Sequence, residues 1–444
     1  MAGRLPTSVR VLVLARAVNQ LGGFSLAFLT VLLADGFGAG LALAGVVSAV
    51  FGAATIPSRL LGGRLADSWG RRRTIVAGLL GCAAAQLGLA AAPDLATATV
   101  CAILLGLAFE LFEPPSQSLI ADAVPAADRA CAFGLLTTAI AVGSLGAGLI
   151  ADVVGRWSLR WLFVVDAATG IACAAIMLLA LAPDGRGRLL PLAGNRSRRT
   201  TDVAPEPSAA PPATSAAPAT SAASKISPNP KISISPWHDR ALLTLTASGT
   251  VFALISMLFL VALPLSLAEV GLQPADAGLL MAASTATLVL TRPILRAAPV
   301  TALSHSATFV LGYLLMGTGL LGYALAHTLP TLVLPTALYS LGNVLVMGRS
   351  FAAVSELAPA AASARYLAVY GLSWGVATVL APLAAAWLIG ASGPALLWGA
   401  TAASCGVMAG VQPRLLKRVL AGAGDLAVIH STNAVAERYD AVSI

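Results

Sequence analysis

The chain has 444 residues, of which 58% are hydrophobic and 10% are charged, and its formal net charge is +8 at pH 7. Soluble proteins carry about 25% charged residues, so the composition excludes a soluble enzyme, a soluble nucleic-acid binder and a disordered scaffold. It predicts an all-α polytopic membrane protein. In such a protein, the excess of basic residues is explained by loops rich in Lys and Arg on one side of the membrane.

Twelve apolar segments are long enough to cross a bilayer, for which a helix needs about 20 residues. Six precede residue 183, at positions 9–34, 40–63, 74–92, 95–118, 130–153 and 160–182. Six follow residue 237, at positions 241–265, 274–296, 304–326, 329–351, 363–390 and 393–411. The segments predict an N-terminal six-helix bundle over residues 1–182 and a C-terminal six-helix bundle over residues 239–411.

The region between the two bundles, residues 183–238, has a different composition. Positions 207–224 contain only Pro, Ala, Ser and Thr. Such a stretch cannot bury enough apolar surface to offset its chain entropy, so we expect a disordered linker. Residues 412–444 form a polar C-terminal tail, and its first basic residues are expected on the membrane surface.

The basic residues of the short loops concentrate on one side of the predicted membrane. They are Arg64, Arg71, Arg72, Arg73, Arg129, Arg296, Arg365 and Arg414. Because loops rich in Lys and Arg remain in the cytoplasm, we expect a multi-pass protein of the cell (inner) membrane. Both termini and the linker would be cytoplasmic.

An internal repeat relates the two bundles. Residues 116–125 align without gaps on residues 350–359, and residues 133–135 parallel residues 370–372. In each half, the matching residues run from the end of the fourth apolar segment into the fifth. Parallel repeats of this kind occur in transporters whose substrate site lies between the two halves near the membrane midplane.

The run GRLADSWGRRR at residues 63–73, between the second and third segments, is the most specific motif. Gly63 and Gly70 permit close helix approach and a tight turn, and Asp67 can form charge-assisted bonds at a helix end. The basic residues are Arg71, Arg72 and Arg73, which can pair with acids on neighbouring helices.

This run resembles the G-x-L-a-D-r-x-G-r-r/k-x signature of the major facilitator superfamily (MFS), except that Ser68 replaces a commonly basic residue. With the twelve segments, the linker and the repeat, the resemblance covers nearly the whole chain. It implies two pseudo-symmetric six-helix bundles that transport by alternating access. In the family this loop helps to lock the outward-open state.

Within the superfamily, the chain is similar to the drug:proton antiporter type. The similarity lies in EPPSQSLIADAVP at residues 113–125 and LFVVDA at residues 162–167. The fifth segment keeps the glycines of the antiporter signature at residues 143–148 but lacks its proline, while Pro382 occurs in the eleventh segment. The resemblance implies proton-coupled efflux of a small amphipathic drug or natural product.

Two alternatives stand beside efflux. Proton-coupled or facilitated uptake of a sugar or other small metabolite fits the same architecture, although few polar residues favour an apolar cargo. An intramembrane enzyme has no supporting motif, and no phosphate loop indicates direct drive by ATP. We therefore expect a monomeric, non-enzymatic transporter. It would use protons and a small-molecule substrate, with no cofactor, no metal and no nucleic acid.

Charged residues inside a bilayer are costly, so each is a candidate functional group. At 1.5 Å per residue, Arg16 in the first segment and Glu110 in the fourth lie at a similar depth, and we expect them to pair. Burial favours the neutral form of a carboxyl and an arginine favours the ionised form. Glu110 is therefore the predicted proton-coupling carboxylate, although a static pair is the alternative.

The other buried charges have weaker predicted roles. Glu113 is the second coupling candidate, or it pairs with Arg71 or Arg72. Arg349 is expected to pair with one of these glutamates or to extend to the membrane interface. Asp166 is expected to be a structural pair or cap.

Several polar and aromatic residues of the membrane segments are candidates for contact with the substrate. They are Asn19, Gln20 and Phe24 in the first segment, Tyr339 and Asn343 in the tenth, and Trp374 in the eleventh.

Overall fold

A computed structural model describes residues 6–124, 129–180, 236–295, 303–358 and 363–440. All regular structure in these residues is helical. The predicted linker, residues 183–238, lies outside the described residues except for a short 3-10 helix, Pro236–His238.

The N-terminal half contains six helices. Two of them have two pieces each: α1 comprises Thr7–Gln20 and Ser25–Val31, and α4 comprises Leu95–Phe109 and Glu113–Ala123. A π-turn, Leu32–Gly36, extends α1. The others are α2 (Leu41–Trp69), α3 (Arg71–Ala91), α5 (Arg129–Gly155) and α6 (Leu159–Ala180).

The C-terminal half begins with α7 (Arg240–Glu269), α8 (Asp276–Leu295), α9 (His305–Leu325) and α10 (Leu329–Leu357). The last helix, Ser363–Asp440, is broken by non-helical backbone at Ser392 and Gly393, where the chain divides into α11 and α12. Gly393 has a φ of 79°, which suits glycine. Residues 412–440, predicted as a polar tail, continue α12 as a helix.

The helices match the predicted membrane crossings. Among the described residues, ten helices are long and apolar enough to cross a bilayer, and one of these, Tyr366–Leu416, contains the break between α11 and α12. The shorter apolar helix Asp276–Thr291 supplies the remaining crossing. The all-α fold with twelve membrane-spanning helices is therefore confirmed for the described part of the chain.

Two sides of the molecule follow from this topology. We call the side on which α1 begins, at Thr7, the terminal side, and the side on which Gly36 and Leu41 lie the far side. On the far side, Asp94 caps α4 by accepting a hydrogen bond from the Thr97 N–H at 2.8 Å. That bond lowers the pKa of the Asp94 carboxyl.

The α4 interruption at residues 110–112 has an identifiable cause. Pro114 and Pro115 follow it, and proline has no N–H and clashes with the carbonyl of residue i−4 in a helix interior. At the interruption, the Glu110 N–H donates to Ser58 Oγ of α2 at 3.1 Å as well as to the Ala108 carbonyl oxygen. The sequence predicted a continuous segment here and did not anticipate the break.

The α1 interruption, at residues 21–24, packs tightly against α6. A Cβ on Gly22 would lie 2.6 Å from Asp166 Cα, so only glycine permits this approach. The interruption therefore fixes the position of the second piece of α1, which starts at Ser25, relative to α6.

The two halves contact each other through α1 with α7, α2 with α11, and α5 with α8. Glycines allow the close approaches. A Cβ on Gly52 would lie 2.7 Å from the Thr378 carbonyl oxygen, and one on Gly148 would lie 2.7 Å from Ala282 N. Both contacts lie in the part of the membrane nearer the far side.

Candidate functional site

A cavity of about 690 Å³ lies between the two halves. One wall comes from α1, α3, α4, α5 and α6, and the other comes from α7, α8, α10 and α11. All six residues predicted to contact a substrate line it: Asn19, Gln20, Phe24, Tyr339, Asn343 and Trp374.

The charged lining residues all belong to the N-terminal half. They are Arg16, Glu110, Glu113 and Asp166. Arg16 donates from Nη2 to Glu113 Oε2 at 2.7 Å, and its guanidinium lies 4.8 Å from the centre of the Phe112 ring. The Arg16 side chain is 10% exposed, so α1 and α4 are joined by a largely buried ion pair.

The predicted pairing of Arg16 with Glu110 is wrong. The helix α1 begins at Thr7 and α4 continues to Ala123, both beyond their predicted ends on the terminal side. Counted from these ends, Arg16 and Glu113 lie at nearly the same depth and Glu110 lies about one turn deeper. Glu110 lies in the interruption itself, whereas Glu113 begins the second piece of α4.

Glu110 has a weaker partner. Its Oε2 lies 3.7 Å from Nη1 of Arg59 on α2, whose side chain is 58% exposed. The same Oε2 atom is buried and has no hydrogen-bond partner within the described residues. An ion pair this long with an exposed arginine contributes little stability, so the Glu110 carboxylate is loosely held.

Asp166 is joined to neighbours that the sequence did not suggest. The Ser25 hydroxyl donates to Asp166 Oδ2 at 2.6 Å, and Gln86 Nε2 donates to Ser25 Oγ at 2.9 Å. These groups come from α6, α1 and α3, and all three residues line the cavity. The signal was available, because Gln86 is a lone amide inside an apolar segment.

Arg349 does not reach either glutamate, so its predicted pairing across the cavity is wrong. Its Nη2 donates to the Leu303 carbonyl oxygen, at 3.4 Å, just before α9. The reason is that α10 packs against α8 and α9, and this turns the Arg349 side chain toward that loop.

The C-terminal wall carries no charged residue among its described lining residues. Asn343 donates from Nδ2 to Ser256 Oγ at 2.9 Å and to the Tyr339 hydroxyl at 3.1 Å. The Phe259 ring stacks on the Tyr339 ring with centroids 3.9 Å apart. This wall thus combines flat aromatic surface with a few neutral hydrogen-bonding groups.

The predicted gating motif lies mostly in helix. The run continues α2 to Trp69, and Gly70 makes the turn with a φ of 97°. Gly63 has open space around its Cβ position, so its predicted close packing is wrong. Gly62 instead abuts the Leu111 carbonyl of α4.

The basic residues of the motif stay within the N-terminal half. Arg71 forms an ion pair with Asp122 of α4, which confirms the predicted pairing with an acid on a neighbouring helix, but that acid is not Glu113. Arg72 donates to the Leu178 carbonyl near the end of α6. Asp67 and Arg73 are exposed.

On the far side, an ion-pair cluster joins the halves. Arg156 donates from Nη2 to Asp152 of α5 at 2.7 Å and to Asp276 of α8 at 2.6 Å. The hydrogen bond to Asp152 raises the pKa of Arg156, which therefore stays charged. With Gly148 packed on α8, this cluster holds the two halves together on the far side.

Comparisons with known proteins agree with this architecture. The family model described as Major Facilitator Superfamily matches residues 12–263. An uncharacterized MFS-type transporter, YhjO of Bacillus subtilis, is 22% identical over 356 residues, which cover 77% of this chain and 76% of that protein. A crystal structure of a peptide transporter POT superposes with a TM-score of 0.72 at 18% identity, covering 93% of this chain and 95% of that one.

A shorter match is more similar in sequence. Puromycin resistance protein pur8 of Streptomyces alboniger is 36% identical over 146 residues, which are 32% of this chain and 26% of that protein.

Proposed function

The chain belongs to the major facilitator superfamily, and on that premise we propose that it exports a small amphipathic organic compound, such as a drug or natural product, in exchange for protons. The cavity between the halves carries the proposal. One wall supplies carboxyl groups that can bind and release protons, and the other supplies an uncharged aromatic surface for an apolar cargo.

Glu110 is the carboxylate that we infer to couple proton movement to transport. Glu113 is held by a 2.7 Å pair with Arg16, whereas Glu110 has only a 3.7 Å contact with an exposed arginine. A carboxyl near a weak counter-charge changes its protonation state at a smaller cost than one in a tight pair. Glu113 then mainly fixes α1 to α4.

The far-side contacts suggest how the cycle proceeds. Arg156 with Asp276, and Gly148 with Ala282, hold the halves together on that side. In the inferred cycle these contacts separate when the cavity opens to the far side, and the motif at residues 63–73 closes the terminal side. Cargo and proton then exchange at the same cavity in alternation.

The direction of export is supported by the cavity wall and by the puromycin resistance relative. Stacked aromatic groups such as Phe259 and Tyr339 suit a planar or amphipathic molecule. A sugar would need more hydrogen-bonding side chains than this wall offers, which disfavours the uptake alternative.

The test uses purified protein in proteoliposomes that contain a pH-sensitive dye and carry an imposed pH gradient. Labelled puromycin and a labelled sugar are supplied in parallel. We expect puromycin to move against the proton flow in the wild type and Glu110→Gln to abolish this proton-driven movement. Glu356→Gln is the matched control, because Glu356 is half exposed and lies outside the cavity.

Two results would overturn the proposal. Wild-type proton-driven transport by the Glu110→Gln protein would remove the coupling role of that residue. Accumulation of the sugar with the proton gradient, and none of puromycin, would favour uptake.

A further inference from the structure

The cavity contains a third carboxyl whose surroundings differ from those of both glutamates. Asp166 is 6% exposed and accepts a hydrogen bond from the Ser25 hydroxyl, with the Gln86 amide and the backbone N–H groups of Ser25 and Phe24 as further neutral donors nearby. Glu113 and Glu110 each face an arginine. Asp166 therefore lies in the membrane interior with a neutral partner.

The helices packed against α6 are α1, α3 and α5. On α1, Arg16 is paired with Glu113. On α3, Arg72 donates to the Leu178 carbonyl near the end of α6. Asp152 of α5 and Arg156, which follows the end of α5, belong to the far-side cluster.

Among the described residues, no basic group pairs with the Asp166 carboxyl. Arg160 of α6 donates to the carbonyls of Ala90 and Ala92 at 3.2 and 2.7 Å. The titratable groups on the cavity side are the Cys82 thiol and Glu110, and neither supplies a positive charge. A buried carboxylate without a counter-ion is strongly disfavoured, so this site favours a neutral carboxyl.

The hydrogen-bond network lacks one donor. Gln86 donates to Ser25, and Ser25 donates its one hydroxyl proton to Asp166. Gln86 is 3% exposed, and its Oε1 is buried without a hydrogen-bond partner among the described residues. A buried unsatisfied acceptor is costly. One acceptor of the network, Gln86 Oε1, therefore has no donor. A proton bound to the Asp166 carboxyl would add one donor to the network.

We propose that Asp166 is a second proton-binding site of this transporter, separate from Glu110. The role of this site in coupling depends on the proposed function. Its ability to bind a proton is argued from the geometry alone. Ser25 starts the second piece of α1, and Gly22 abuts Asp166. Loss of the proton would thus act directly on the α1 interruption, at the cavity wall.

A spectroscopic experiment tests the proton itself. Infrared difference spectra of the purified protein in lipid are recorded between acidic and alkaline buffer, and the carboxylic acid C=O band of a buried group is followed. We expect the wild type to show such a band and Asp166→Asn to lose it. Asparagine is isosteric and can still accept the Ser25 hydrogen bond, so the fold is preserved.

Two further variants keep the test decisive. Glu110→Gln must retain the Asp166 band, because the two sites are separate. Should Asp166→Asn fail to fold, Ser25→Ala removes the hydrogen bond to the carboxyl and must shift the band. A band unchanged in Asp166→Asn, or unshifted in a folded Ser25→Ala protein, would overturn the proposal.

A transport measurement then separates this inference from the proposed function. In the puromycin assay, the number of protons moved per cargo should fall by about half in Asp166→Asn, since one of two linked proton sites is lost. A ratio equal to that of the wild type would overturn the coupling role. Loss of the band in a protein that moves no puromycin would uphold the proton site and contradict the cargo assignment.

Discussion

The two halves of this protein follow one repeated plan, yet their cavity walls differ in charge. In the register that sets Ser116 against Ser350, Glu110 and Glu113 correspond to Val344 and Met347. All four of these residues line the cavity. Equivalent positions therefore present acids on one wall and apolar side chains on the other, and in the proposed function the acids bind protons.

The halves also differ in regularity. The helix α4 is interrupted at residues 110–112, whereas α10 is continuous through the corresponding positions. In the repeat, Pro114 and Pro115 correspond to Gly348 and Arg349, which do not remove backbone donors in this way. The charged wall is thus also the wall whose helices α1 and α4 are interrupted, a combination typical of coupling sites in transporters.

The largest expected effect is on the stability of the charged half. Arg16→Met removes the partner of a largely buried carboxylate, and leaving such a charge uncompensated costs roughly 3–5 kcal/mol. We expect a marked fall in the midpoint of thermal unfolding, measured in detergent. The double variant with Glu113→Gln should recover most of the loss, because no uncompensated charge remains.

Arg59→Met is the matched control for this prediction. The Arg59 side chain is mostly exposed and lies 3.7 Å from Glu110, so its loss should cost less than about 1 kcal/mol. If both substitutions lowered the stability equally, the burial of the Arg16–Glu113 pair would not make it more stabilising than the exposed Arg59–Glu110 pair.

An intermediate effect is expected where the two halves meet. A Cβ on Gly148 would lie 2.7 Å from Ala282 N of α8, so Gly148→Ala should force α5 and α8 apart by overpacking, at a cost of about 1–3 kcal/mol. Spin-label distances between the far-side ends of α5 and α8 should lengthen, and transport should slow.

Gly134→Ala on the same helix provides the comparison. No heavy atom lies within 4 Å of its Cβ position, and alanine is the better helix former by about 1 kcal/mol. This variant should be as stable as the wild type or more so, with unchanged distances. If the spin-label distances were also unchanged in Gly148→Ala, the close contact between Gly148 and α8 would not be what holds the two halves together.

The smallest effect is expected on the uncharged wall. Asn343→Leu removes hydrogen bonds to Ser256 and Tyr339 and the amide that faces the cavity, and a hydrogen bond is worth about 1 kcal/mol. The KM for puromycin should rise about fivefold, while the protons moved per cargo stay constant.

Thr318→Val, an exposed polar-to-apolar change on α9 outside the cavity, is the control and should leave KM unaltered. If Asn343→Leu instead uncoupled transport from the proton gradient, the division of roles between the walls would be wrong.

The sequence by itself determined the membrane crossings, the repeat and the superfamily. Apolar length is a property of each segment taken alone, so twelve segments could be counted without knowing how they pack. The same reasoning found six residues that line the cavity, Tyr339 and Asn343 among them. Polar and aromatic residues inside apolar segments are few enough to be conspicuous.

Only the tertiary structure decided which groups meet. The partner of Arg16 depends on where two helices start and on a break in one of them, and an error of one turn exchanged Glu110 for Glu113. The network of Asp166, Ser25 and Gln86 joins three helices that are distant in sequence. Depth, rotation and packing of whole helices set these contacts, and no local pattern of residues records them.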